Sequence, residues 1–131
     1  MADRKEPVWL LRIAVLGFHL RQLAEHGGGS GVRDEGLLDS ALNRPLNKFA
    51  YEAPDLFDLA AAYAYGIAAN HPFVDGNKRT AYVAAFTFLR VNGFRIEAGQ
   101  TEKYETFIRL AAGEIGEQEL AAWFRKHAVE L

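Results

Sequence analysis

Two apolar stretches with helical spacing flank ten largely polar residues, and this arrangement constrains the chain more than any other feature. In residues 56–69, Leu56, Leu59, Ala60, Tyr63, Ala64 and Ile67 recur at intervals of three and four, with alanines that permit close approach. In residues 80–91, Val83, Phe86 and Leu89 define a second apolar face, which Asn92-Gly93 ends. Between them stands His71-Pro72-Phe73-Val74-Asp75-Gly76-Asn77-Lys78-Arg79-Thr80. A polar loop that closes onto the start of a buried helix presents backbone N–H groups without intrahelical partners, and the helix dipole adds positive character to them. Such a place binds anions. Gly76 allows close backbone approach, and Asn77 tolerates the turn angles that a nest of N–H groups needs. Lys78 and Arg79 then fall in the first helical turn, the unfavourable end for cations unless an anion lies in front of them. Singly, each of these is an ordinary turn or cap residue. Together they predict a phosphate-handling site.

The remaining sequence is expected to build a helical frame around this pair. One domain spanning residues 1–131 is predicted, large enough to bury a core without staples. A net charge of −2 argues against bulk attraction to nucleic acid, so phosphate binding should be local. The absence of cysteine excludes a disulfide framework and a thiolate metal site, and fits a cytoplasmic location. The apolar run 8–20 is broken by Arg12 and His19 and is too short to cross a bilayer, so it reads as a soluble amphipathic helix. That helix is predicted to start near Pro7 and stop before Gly27, burying Leu10, Ile13, Ala14, Leu16, Leu20 and Leu23. His19 and His26, seven apart, share a face but make no metal pair. The glycine-rich residues 27–31 lack the Lys-Ser/Thr of a nucleotide loop and read as a flexible connector.

Asp34 is expected to cap a short helix whose apolar side is Leu37, Leu38, Ala41 and Leu42, ended by Arg44-Pro45 because the residue before proline avoids helical angles. Residues 45–52 then read as an extended or hairpin segment. Asp55 caps the next helix. Residues 94–100 form a loop with one short strand, and helices are predicted over 101–112 and 116–128, with Phe107, Trp123 and Phe124 as core aromatics. The fold class is therefore all-α, about six helices with at most a small β-hairpin.

The segment from His71 to Arg79 resembles the signature of the Fic/Doc family, His-Pro-Phe-x-Asp/Glu-Gly-Asn-Gly/Lys-Arg. Lys78, at the position that varies, and the run 31–38 resemble its death-on-curing (Doc) branch, and the resemblance extends over about residues 8–127. It implies a Fic-like helical domain and assigns residues 45–52, with Lys48, Phe49, Ala50 and Tyr51, to a flap that holds a target segment beside the active site. Main-chain pairing would suit that task. Arg33, otherwise a surface cation, gains an expected role near the phosphates.

Each signature residue has a task that its chemistry suits. His71 is the candidate general base, since imidazole takes up a proton near neutral pH. Asp75 is the candidate ligand for Mg²⁺, which favours one or two carboxylates together with phosphate oxygens and water. Gly76, Asn77 and Lys78 offer backbone donors, with the Asn77 side chain as another, and Arg79 offers a planar fork for phosphate. The family's usual activity is AMP transfer from ATP to a protein hydroxyl, whereas its Doc branch moves a phosphate onto elongation factor Tu and halts translation. The resemblance thus implies a toxin using ATP and Mg²⁺, a translation-machinery target, and no direct nucleic-acid or membrane partner. A catalytically silent binding module with the same fold is the competing expectation, and the intact signature favours the enzyme. Some family members inhibit themselves through Ser/Thr-x-x-x-Glu-Gly/Asn. Here Ser30 stands one residue too far from Glu35-Gly36, and Thr101 with Glu105 is followed by Thr106, so restraint is expected from a separate antitoxin chain.

Overall fold

The structure, a computed structural model, describes residues 5–131. Its described elements are six helices and two short strands: α1 (Arg12–His26), α2 (Glu35–Tyr51), α3 (Leu56–Asn70), α4 (Asn77–Val91), β1 (Phe94–Ile96), α5 (Gln100–Ala111), α6 (Glu117–His127) and β2 (Ala128–Glu130). The helical fold and the small antiparallel pair agree with expectation, although the strands join residues after α4 to the chain's last residues. They do not form a hairpin. Phe94 pairs with Glu130, Arg95 with Val129 and Ile96 with Ala128.

Helix α3 is the centre. Leu59, Ala60, Ala61, Ala62, Tyr63, Ala64, Gly66, Ile67 and Ala68 are all buried, so the helix is enclosed on nearly every side. It packs on α2, α4 and α6, and its small residues let them come close. A β-carbon at position 66 would lie 3.1 Å from the Ala41 carbonyl oxygen, which fixes the α2–α3 crossing there. The buried line of α4 runs through Ala81, Ala84, Ala85, Phe88 and Leu89, with Val83 and Phe86 half-buried at its side.

Asp55 caps α3 with a reciprocal box: its carboxylate accepts the Asp58 N–H at 2.8 Å, and Asp58 accepts the Asp55 N–H at 2.9 Å. Arg125 of α6 donates to the same Asp55 carboxylate at 2.8 Å. Partial burial pushes the Asp55 carboxyl up, but the Arg125 bond, the Asp58 N–H and the Arg125 charge together hold it below its ordinary value of 3.8. A depressed folded value contributes stability that is complete above the unfolded value and is lost as pH falls through the folded one. Acid unfolding followed by circular dichroism between about pH 5 and pH 2 should therefore show a limb that flattens in Asp55→Asn, which keeps the cap but loses the charge. An unchanged limb would remove this pair from the acid response.

Three expectations fail, each for a tertiary reason. Helix α1 starts at Arg12, five residues later than the Pro7 signal suggests, because the preceding strap is held extended. Val8 N–H and C=O both bond the Asn92 side chain, at 2.8 and 3.0 Å, and Leu10 N–H donates to the Tyr63 hydroxyl at 3.1 Å. The buried line of α1 is also rotated: Val15 and His19 are enclosed, while Ile13 and Leu20 are 76% and 62% exposed.

The third failure is at Pro45. Helix α2 continues through it to Tyr51, so residues 45–52 are not an extended flap. Pro45 lacks the N–H that would have reached the Ala41 carbonyl, which here lies against Gly66 of α3. The far half of α2 is fastened instead by side chains. Arg44 and Lys48 reach Glu117 of α6 at 2.6 and 3.2 Å, and Phe49 packs edge-on against Trp9 with ring centres 5.5 Å apart. Lys48, Phe49, Ala50 and Tyr51 thus form the last turns of a helix, whose main chain is already hydrogen-bonded and offers no edge for strand pairing.

Candidate active site

The turn between α3 and α4 is built by residues that the two helices place end to end. His71 ends α3 in the left-handed region, at φ 48°, the one described non-glycine residue with positive φ. Its N–H donates to Ile67 C=O at 3.2 Å and its carbonyl accepts from Arg33 Nε at 2.7 Å, so the backbone is fixed on both sides while the side chain remains exposed. Pro72 and Phe73 are buried, wedging the loop into the core as the sequence suggests. Gly76, at φ 75°, then turns the chain into α4, a conformation that disfavours a β-carbon. The result places His71 and Asp75 on one exposed loop at the N-terminus of α4.

The donors at this end differ from expectation in two respects. Gly76 N–H is already taken by the Asp75 carboxylate, at 2.8 Å. The Asn77 side chain is likewise engaged: its oxygen accepts Phe73 N–H at 2.9 Å and its nitrogen donates to Phe73 C=O at 3.0 Å. Asn77 therefore clamps the loop shut and lies within helical backbone. The backbone N–H groups of Asn77, Lys78 and Arg79 precede the first intrahelical bond, Thr80 N–H to Gly76 C=O at 2.9 Å, and are the donors this helix end offers.

Arg33 is also placed differently. Its guanidinium donates to His71 C=O and, at 3.0 Å, to Asn70 C=O. It caps the carbonyl end of α3, where a cation complements the dipole. Its backbone joins the same fastening. Arg33 N–H and Asp34 N–H donate to Pro72 C=O at 2.7 and 3.2 Å, Val74 N–H donates to Gly31 C=O at 3.0 Å, and Val32 and Phe73 form an isolated antiparallel bridge. The extended backbone beside the site is thus the connector between α1 and α2, not residues 45–52.

Two residues that sequence reasoning passed over complete the loop's support. His19 is 2% exposed, stacks on Phe73 with ring centres 4.0 Å apart and planes 10° apart, and donates through Nε2 to Asp75 C=O at 2.9 Å. Gly28, at φ 120°, lies so close that a β-carbon there would be 2.6 Å from Asp75 Oδ2. Glycine clustering signalled a connector, but nothing local in the sequence signals which carboxylate it must pass.

Lys78 and Arg79 are exposed and open into a groove of about 350 Å³ between α1, α4 and α5. Its walls include Gln22 and His26 on one side, Tyr82 and Val83 on the floor helix, and Tyr104 and Ile108 opposite. Tyr82 and Tyr104 are stacked with ring centres 6.0 Å apart. Glu25 also lines the groove, which joins cations at one end to an aromatic wall along its length.

Residues 9–89 match the family model described as Fic/DOC family. The chain belongs to the Fic/DOC family. Among its relatives, the protein named Toxin Doc from Mycolicibacterium smegmatis is 51% identical over 74 residues, which is 55% of this chain and 57% of that one. The Protein kinase doc of Escherichia phage P1 is 33% identical over 113 residues, or 86% of this chain and 89% of that protein. The Fic/DOC match covers α1 to most of α4, and so the whole of the loop, its connector and its helical support.

A magnesium ion fits this Fic/DOC site in one way only. Among the described residues no three His, Asp or Glu side chains converge, so the protein would contribute the exposed Asp75 carboxylate and leave the remaining positions to phosphate oxygens and water. That division is the usual one for Mg²⁺ on a nucleotide. No described helix is long and apolar enough to cross a membrane.

Proposed function

We propose that this Fic/DOC protein transfers the γ-phosphate of ATP to a hydroxyl of a translation-factor protein, as a toxin held in check by a cognate antitoxin in the cytoplasm. The observation that carries the reading is the polarity of the site: His71 and Asp75 stand at one end of the α4 N-terminus, and Lys78 and Arg79 lead from it into the aromatic groove. A triphosphate laid along that line would put its terminal phosphorus beside the base and the carboxylate, and its nucleoside along the wall that the Tyr82 and Tyr104 rings form. The phage relative's name, a protein kinase, agrees with that orientation. The toxin name of the other relative supports an antitoxin partner for this chain.

The chemistry then follows from the chain's own groups. The target hydroxyl oxygen attacks the γ-phosphorus while His71 takes its proton, and the bond from that phosphorus to the β-phosphate oxygen breaks, releasing ADP. The N–H groups of Asn77, Lys78 and Arg79 hold the phosphate oxygens, and the Lys78 and Arg79 side chains add charge. Asp75 would hold Mg²⁺, which supplies charge neutralisation on the phosphates when bound. The connector, bridged to the loop at Val32 and Phe73, would be the segment that aligns an extended target by main-chain pairing.

AMP transfer is the second reading, and Lys78 argues against it. Glycine at this position in the family's AMP-transferring members leaves room for the terminal phosphates at the helix end. Lysine puts a side chain and a charge there. Parallel reactions with α- and γ-labelled ATP, Mg²⁺ and a bacterial lysate decide between them. Protein-bound label is expected from the γ position alone, and label from the α position alone would establish AMP transfer instead.

A further inference from the structure

We infer that His19 is a positioning residue whose single N–H sets the Asp75 carboxylate, and thereby the metal requirement of the site; this rests on the reading of Asp75 as the Mg²⁺ ligand. His19 lies in the middle of α1, far from the signature in sequence, yet it is buried against it. A buried imidazole is costly unless its polar atoms are bonded. Its Nε2 meets a carbonyl oxygen, which only accepts, so the proton resides on Nε2 and is given to Asp75. The same ring covers Phe73, and its Cδ2 would lie 3.7 Å from a β-carbon at Gly76. One side chain therefore touches the loop at residues 73 and 75 and borders the space beside Gly76.

Asp75 is bounded on three sides by different parts of the chain, once at its backbone carbonyl and twice at its carboxylate. His19 fixes the residue's own carbonyl, Gly76 N–H holds Oδ1 at 2.8 Å, and the Gly28 backbone closes the side of Oδ2. Leu23, one turn beyond His19 on α1, lies beside both glycines: its Cδ2 would be 3.3 Å from a β-carbon at Gly28 and 3.9 Å from one at Gly76. Removing the His19 donor leaves the Asp75 carbonyl without its partner and frees the peptide to rotate, which moves the carboxylate. A core residue selected for volume alone would not need that donor.

The test separates the donor from the packing. His19→Phe keeps a flat ring over Phe73 and drops the N–H, whereas His19→Gln keeps an N–H donor and drops the stacking. Three quantities are measured on wild type and both variants: the melting temperature, Mg²⁺-dependent binding of a non-hydrolysable ATP analogue by calorimetry, and exchange of the Gly76 amide by NMR. In His19→Phe the Mg²⁺ needed for half-saturation should rise about tenfold, the low end for losing an outer contact to a metal ligand, and Gly76 exchange should quicken by about the same factor. His19→Gln should lie within about threefold of wild type in both, even where its melting temperature is the lower of the two. Equal impairment of both variants in step with their melting temperatures, or an unaltered His19→Phe, would overturn the assignment. If the wild-type protein binds the analogue without regard to Mg²⁺, the metal reading of Asp75 fails and the Gly76 exchange rates alone decide the role of His19.

Discussion

His71→Ala should lower phosphotransfer by about a thousandfold, within the range usual for loss of a positioned general base. The side chain is exposed, and the backbone is held by the bonds of His71 N–H to Ile67 and of its carbonyl to Arg33. Alanine does retain the left-handed backbone at φ 48°, which histidine tolerates somewhat better than alanine. His71→Gly is therefore the sharper control. It should lose activity to the same extent while being more stable than His71→Ala by roughly 1 kcal/mol, because glycine adopts that conformation without strain. Turnover with labelled ATP and thermal melts of both variants give the answer together. Near-wild-type transfer by either variant would take His71 out of the mechanism, and a collapse of both melting temperatures would make it a structural residue.

The parts of this fold that were legible in the sequence are those set by local chemistry. Asp34 and Asp55 are caps because a carboxylate before an apolar run satisfies N–H groups within three residues, and both do so. The signature announced its own turn at left-handed Gly76, whereas the clamp of the Asn77 side chain back onto Phe73, where a phosphate donor was expected, was not announced. What could not be read depends on distant partners. Pro45 carries a strong stop signal, and helix α2 runs beyond it with Arg44 and Lys48 held on Glu117, some seventy residues away, and Phe49 packed on Trp9. His19 broke the apolar pattern of α1 and so shifted the predicted buried face; its partner is a carbonyl 56 residues downstream. Arg33 looked like a ligand cation because of the run it sits in, yet its guanidinium faces carbonyls at residues 70 and 71. Periodicity finds faces, but it is blind to a polar residue whose bonding is satisfied across the fold.

Asp75→Asn is the second large effect expected, a loss of about a hundredfold or more in transfer at millimolar Mg²⁺, because on the proposed reading Asp75 is the carboxylate that would hold the ion and no cluster of three ligands stands beside it among the described residues. Asparagine preserves the shape and can still accept Gly76 N–H through its side-chain oxygen, so the loop should keep its form. The charge is what disappears. Stability should change by no more than about 1 kcal/mol, the worth of an exposed carboxylate beside a helix N-terminus. Because the defect lies in holding Mg²⁺-nucleotide, raising Mg²⁺ should recover part of the activity in Asp75→Asn and none in His71→Ala, whose deficit is in proton transfer. This contrast separates the two residues without any structure of a complex. Gly28→Ala offers an independent approach to the same carboxylate: its β-carbon would stand 2.6 Å from Oδ2, and the φ of 120° disfavours alanine there, so the connector and the carboxylate must part. It should therefore resemble a weaker Asp75→Asn, with a raised Mg²⁺ requirement and partial rescue. Full wild-type activity in excess chelator, or an Asp75→Asn protein as active as wild type at low Mg²⁺, would show that the phosphates are handled by the helix N-terminus and its cations alone.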